Sequence, residues 1–223
     1  MEEFCFDSRL QTPFSMIVSG CSGSGKSQWI EKLCADHQSL FTSQPDRIFW
    51  CYGVYQPDFH LQLRTKFPHL TLHSGFSEEF YHSCASLQSS QLSTLLVLDD
   101  LHTELANKPI LSRLFTKFSH HNNNSIIFTT QNFYHNGTQT RDVNRNAHYI
   151  VLLAQPRDMT VVRSIALQMY PKNSAFMTSA FADATSTPYG YLLVDAKPYT
   201  PIRLRLRTGI FSDQQTYVYI PST

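Results

Sequence analysis

No stretch of this 223-residue chain approaches the run of roughly 18 apolar residues that spans a bilayer as a helix. The opening MEEFCFDSRL lacks both the cationic and the apolar parts of a secretory signal. These absences exclude a helical membrane protein and argue against secretion, so no membrane partner is expected. Charge of one sign is missing too. Eighteen Lys and Arg stand against 17 Asp and Glu, a formal net charge of +1, and no bulk field announces a nucleic-acid partner. Any basic surface must be local. Cysteine is scarce and scattered, at 5, 21, 34, 51 and 84, with no C-x-x-C pair, which fits neither a disulfide framework nor a zinc site. Ten histidines form no His/Cys cluster at ligand spacing. Free thiols in an intracellular, reducing compartment are expected.

What is present is ample material for a core, 42% hydrophobic and 13% aromatic residues, with no internal repeat. Short apolar runs rich in β-branched and aromatic residues recur: MIVSG at 16–20, IFWCY at 48–52, LTLHS at 70–74, TLLVLDD at 94–100, SIIFTTQ at 125–131 and YIVLLA at 149–154. Near-continuous apolarity, rather than alternation, marks strands buried on both faces by flanking helices. The pattern predicts helices over 26–37, 77–88, 104–119 and 159–170. After about 186, YGYLLVD, RLRLRT and YVYI read as antiparallel edge strands. The expected fold is α/β, with a mostly parallel central sheet and extra C-terminal strands. One domain is expected over 1–223, with a core at 12–170 and a strand extension at 186–223.

Gly20-Cys21-Ser22-Gly23-Ser24-Gly25-Lys26-Ser27 fits G-x-x-x-x-G-K-[ST], after a strand and before a helix. Glycines let the backbone turn its N–H groups onto a phosphate, and the helix N-terminus adds positive potential. Lys26 would reach the β- and γ-phosphates of ATP, and the Ser27 hydroxyl would ligate Mg²⁺. Cys21, at that helix N-terminus, would be an alkylation target rather than a catalytic group. TLLVLDD then supplies carboxylates at the end of a buried strand, with Asp99 on the metal side and Asp100 polarising the attacking water. About 30 residues on, SIIFTTQN ends in Thr130-Gln131-Asn132, at the carboxyl edge where open α/β sheets bind ligands. Gln131 is placed to sense the γ-phosphate or orient water. Phe49, Trp50 and Tyr52, on a predicted central strand, read as core rather than as a base-stacking surface.

With these three motifs in this order the chain resembles the HerA/FtsK superfamily of P-loop ATPases. More closely it resembles poxvirus-type genome-packaging ATPases and their relatives in Polinton/Maverick elements and adintovirus-like viruses. The resemblance is carried by TPFSMIVSGCSGSGKS, RIFWCYG, LLVLDDL, LFTKFSHHNNNSIIFTTQN, RNAHYIVLLAQPRD and PYGYLLVD, spread over about 12–210. It implies an Mg-ATP-driven translocase of double-stranded DNA, ring-forming with copies of itself, that fills a preformed capsid and so meets a capsid or portal protein in the host cell. It also implies an arginine acting in trans. Arg113, 18 residues before Gln131, is one candidate; Arg141 and Arg145 are rivals. No nuclease-like second domain is visible, so packaging of unit-length genomes fits better than cutting of concatemers.

Candidate DNA contacts are Lys117, His120, His121, Arg157 and Arg163. Arg203, Arg205 and Arg207 alternate as they would on one strand face, spaced at about 7 Å, although a charged edge strand explains the same pattern. Two other functions fit the motifs alone: a nucleoside-type kinase, and a nucleotide-gated assembly protein with little turnover.

Overall fold

The strongest strand signals are residues that alternate between two apolar environments. In the fourth strand Leu95 and Val97 face one hydrophobic cluster while Leu96 and Leu98 face another, all four fully buried. That is the physical origin of an uninterrupted apolar run: the sheet is covered on both sides. The computed structural model describes residues 7–86, 92–118, 123–131 and 143–221.

In chain order the elements are β1 (Ser15–Ser19), α1 (Lys26–Ala35), α2 (His37–Leu40), β2 (Arg47–Tyr52), α3 (Pro57–Lys66), β3 (Leu70–Ser74), α4 (Glu78–Ser86) and β4 (Thr94–Asp99). Then come α5 (His102–Leu105), α6 (Pro109–Arg113), a π-helical turn (Leu114–Phe118), β5 (Asn124–Thr130), β6 (Tyr149–Leu153), α7 (Thr160–Met169) and α8 (Ser174–Ala184). β7 (Tyr191–Asp195), a 3₁₀ turn (Ile202–Leu204), β8 (Leu206–Thr208) and β9 (Tyr217–Tyr219) complete the described chain.

All nine of these strands join one sheet in the order β3-β2-β4-β5-β1-β6-β7-β8-β9. The pairings from β3 to β6 are parallel and those from β6 to β9 antiparallel, so the expected architecture and C-terminal edge strands are observed. Trp29, Ile30 and Leu33 of α1 and Leu63 of α3 pack on one face. The other face carries α6, α7 and α8 through Ile110, Val161, Ile165, Met177 and Phe181. No helix among the described residues is long and apolar enough to cross a membrane.

Several expectations need correction. The helix expected over 104–119 is broken into α5, α6 and the π turn, because Lys108, preceding Pro109, is extended at φ −93°, ψ 133°. Pro109 then starts a new helix, the position where its missing N–H costs nothing. α1 stops at Ala35 rather than 37, and α3 and α8 were not expected at all. β2 lies second from the β3 edge rather than centrally; Trp50 is nevertheless fully buried, edge-on to Phe59.

The arginine stripe is also absent. Ile202–Leu204 is a 3₁₀ turn and Arg205 is helical, so only Arg207 lies in β8. Arg207 is 1% exposed, bonding Asp195 Oδ2 at 3.1 Å and Ser8 O at 2.8 Å. Arg205 donates to Thr200 O at 3.0 Å. A three-residue strand cannot present three alternating arginines, and the one it holds is internal.

Candidate active site

Parallel register brings the carboxyl ends of β1, β4 and β5 together. Ser19 pairs with Thr130, Leu98 with Phe128, and the Gly20 amide donates to Thr130 O at 3.2 Å. The next residue along each strand is therefore a site residue: Gly20, Asp99 and Gln131. Asp99 and Gln131 border a cleft of about 170 Å³ lined also by Ser22, Gly23, Gly25, Lys26, Ser27, Gln28, Gln56 and Asp100. This is the crevice at the carboxyl edge where β1, between β5 and β6, begins the first crossover.

The loop from Gly20 to Gly25 closes on itself before α1 begins. Ser24 N donates to Cys21 O at 3.2 Å, and Gly25 caps α1 at φ 93°, a backbone region that strains any residue with a Cβ. Lys26 Nζ donates to Gly20 O and Cys21 O, both at 2.9 Å, which holds the ammonium at the mouth of the loop. Burial pulls the Lys26 pKa down, while Asp99 and Asp100 pull it back up. Cys21 is exposed, with its Sγ 3.5 Å from Ala154 O.

Asp99 is 5% exposed and receives a hydrogen bond from Thr129 Oγ1 at 3.1 Å. Burial pushes its pKa above the ordinary carboxylate value; hydrogen bonds from Ser27 and Thr129 oppose that shift. Asp100 departs from the strand at φ 55°, a left-handed conformation for a non-glycine residue, and its amide donates to Thr129 Oγ1 at 2.9 Å. Backbone strain of this kind persists where surrounding contacts over-determine it. Here one contact is Gly53, beyond β2, whose amide bonds Asp99 O at 3.0 Å. A Cβ on Gly53 would stand 2.1 Å from Asp100 O, so only glycine fits.

Ser27 and Asp99 bring a hydroxyl and a carboxylate together, the hard oxygen donors that suit a magnesium ion also held by phosphate. No cluster of three or more His, Cys, Asp or Glu side chains is found among the described residues, so a metal here would rely on the nucleotide and water for its other ligands.

Lys26, Asp99, Asp100, Ser27 and Gln131 are thus brought to one cleft. Arg113 is not among the cleft residues: its guanidinium pairs with Glu78 Oε1 at 2.5 Å, between α6 and α4. Arg145, Arg157 and Arg163 are exposed; Asn132, His120, His121 and Arg141 lie outside the described residues, as does the side chain of Lys117. Sequence reasoning missed Gln56, Gln28 and Thr129. Gln56 enters from the β2–α3 turn, to which no motif pointed. Thr129 carried a legible signal: it lies beside the motif's Thr130, and the in-register pairing of β4 with β5 sets it against Asp99. A second cleft of about 200 Å³ adjoins the first, sharing Lys26, Asp100 and Gln131 and adding His102, whose Nδ1 lies 3.1 Å from Thr130 Oγ1.

The model of the family described as Poxvirus A32 protein matches residues 1–200. The DNA packaging protein OPG160 of Variola virus is 26% identical over 144 residues, covering 60% of this chain and 52% of that protein. Its counterpart in Vaccinia virus (strain Copenhagen) gives the same figures. The chain therefore spans about half the length of these relatives. Among solved structures, the genome packaging NTPase B204 from Sulfolobus turreted icosahedral virus 2, in complex with sulfate, superposes with TM-score 0.56 at 14% identity. The alignment covers 98% of this chain and 99% of that one. The same NTPase in complex with ATP-gammaS gives TM-score 0.52 at 15% identity over 94% and 98% of the two chains. EssC (ATPases 2 and 3) from Geobacillus thermodenitrificans gives 0.53 at 12% identity, over 93% of this chain and 39% of that one. At such identities the likeness establishes the fold alone.

Proposed function

The chain belongs to the Poxvirus A32 protein family, and on that premise we propose that it is an ATP-hydrolysing subunit of a motor that drives double-stranded DNA into a capsid. The observation that carries this reading is the convergence of the Gly20–Ser27 loop, Asp99, Asp100 and Gln131 on one cleft. Each group then has a task set by its chemistry. Backbone amides of the loop and the N-terminus of α1 receive the phosphates, and Lys26 meets the β- and γ-phosphates as a point charge. Ser27 and Asp99 would hold Mg²⁺, which when bound neutralises charge on the phosphate oxygens. Asp100, its carboxylate bordering both clefts, accepts a hydrogen bond from the attacking water. Gln131 orients that water or contacts the γ-phosphate.

The transition state still needs a cation on its far side, and a neighbouring copy in a ring is its source. Arg113 and Arg145 are the candidates within the described residues, with Arg141 a third. Arg113 would first have to leave Glu78, an exposed pair whose loss costs about 0–1 kcal/mol. DNA would be contacted by projecting loops, among them those bearing the exposed Arg157 and Arg163, and a capsid or portal protein would receive the ring. Membership of the A32 family supports the motor over a nucleoside kinase or a scaffold with little turnover.

Lys26→Ala should abolish ATP binding. Asp100→Asn should leave binding within a few-fold of wild type and lower turnover by about 10² or more, because only the group acting on the water is lost. Equilibrium binding and single-turnover hydrolysis check both. Full turnover in Asp100→Asn would remove Asp100 from the mechanism.

A further inference from the structure

Beside the phosphate cleft runs another of about 170 Å³, which shares two lining residues with it, Gly25 and Gln28. Its floor is aromatic and aliphatic. Trp29, Tyr191 and Phe211 meet edge-on with ring centroids 5.4–5.8 Å apart, and Leu153 adjoins them. The three rings brace one another, so the floor is formed in advance of any ligand. Its wall is Tyr189. This side chain is 71% exposed, and its residue adopts φ 61°. It stands so close to the phosphate loop that a Cβ on Gly25 would lie 2.9 Å from its Cδ1. An exposed aromatic on a left-handed backbone packs little and costs conformational energy, a combination that calls for a ligand rather than a core.

The geometry points to Tyr189 as the platform on which the adenine base of ATP stacks, in the cleft that continues the phosphate site past Gly25 and Gln28. This rests on the nucleotide reading above and deepens it. A nucleotide whose phosphates lie in the loop must project its base along one flank. This flank offers a flat ring, an apolar floor, and the amides of Gln28 and Gln214 at its border. Gln214 Oε1 already accepts from Tyr191 Oη at 3.3 Å, which leaves its NH₂ free to donate to a ring nitrogen. The Gln28 amide can both donate and accept, which matches the paired donor and acceptor on the edge of adenine. Two features favour rigidity: Lys32 is fixed by Asp213 at 2.7 Å and lies 4.7 Å from the Phe211 ring centroid, holding that side of the floor.

The test separates base from phosphate. Binding of ATP and of inorganic tripolyphosphate, each with Mg²⁺, is measured by calorimetry on the full chain and on Tyr189→Phe and Tyr189→Asn. Asparagine removes the ring yet tolerates the left-handed backbone, so the loop geometry is kept. Tyr189→Asn should weaken ATP by between about fivefold and a hundredfold, the range that one stacked base supplies, and leave tripolyphosphate within twofold. Tyr189→Phe should bind both ligands as wild type does. Fluorescence of 2-aminopurine riboside triphosphate should be quenched on wild type and much less on Tyr189→Asn. Equal losses for both ligands, or unchanged quenching and ATP affinity in Tyr189→Asn, would overturn the assignment while leaving the phosphate site standing. Wild-type protein that binds neither ligand would overturn the nucleotide reading itself.

Discussion

Asp99 is a carboxylate with 5% of its surface exposed, and burial raises its affinity for a proton above the ordinary value of 3.8. The folded state therefore binds the proton more tightly than the unfolded state. Stability is reduced at every pH above the raised folded value, and the reduction fades as pH falls toward 3.8. Asp99→Asn keeps the oxygen that accepts from Thr129 and removes the charge. It should stabilise the protein at neutral pH, while abolishing Mg-dependent hydrolysis. Urea titrations at pH 7 and pH 4.5 check this, because the gap from wild type should narrow at the lower pH. Asp100, strained and closely approached by Gly53, is a second group at the cleft whose local geometry is unfavourable for folding.

Among the elements, β8 is the one whose sequence misleads most. RLRLRT alternates as an exposed strand would, yet Arg207 is internal, in a group with Asp195, Lys197 and Tyr149. Removing Arg207 leaves the buried Asp195 with the more distant Lys197 at 3.7 Å, so Arg207→Ala should destabilise by about 3–5 kcal/mol, as thermal or chemical unfolding would read. Loss of DNA affinity without loss of stability would restore the surface reading. Which elements were legible follows from how local their signal is. β1, β4, β5 and β6 are legible within a residue or two because two-sided burial demands continuous apolarity, and the strand–turn–helix around Gly20–Ser27 because its motif fixes residue types. α8 escaped, although Met177, Ala180, Phe181 and Ala184 form a helical stripe, because small and aromatic residues blur its polar contrast. α3 buries only His60 and Leu63, too few to show a period. Gln56 and Tyr189 join the site through loops, whose placement is set by tertiary packing rather than by any spacing in the sequence.

For the whole molecule, one edge of the sheet gathers the candidate site residues. The carboxyl ends of β1, β4 and β5 hold the cleft, while β7, β8 and β9 extend the sheet beyond β6 and support the wall bearing Tyr189. The second cleft, with His102 against Thr130, links the end of β5 to α5 and so to α6, which carries Arg113. The measurement that tests the central claim most directly is ATP turnover by the purified chain, with and without long double-stranded DNA, over a range of protein concentrations. Lys26→Ala and Asp100→Asn run alongside. The account predicts turnover that rises with DNA and more than linearly with protein, and that is lost in both variants. Turnover indifferent to DNA and strictly linear in protein would contradict it.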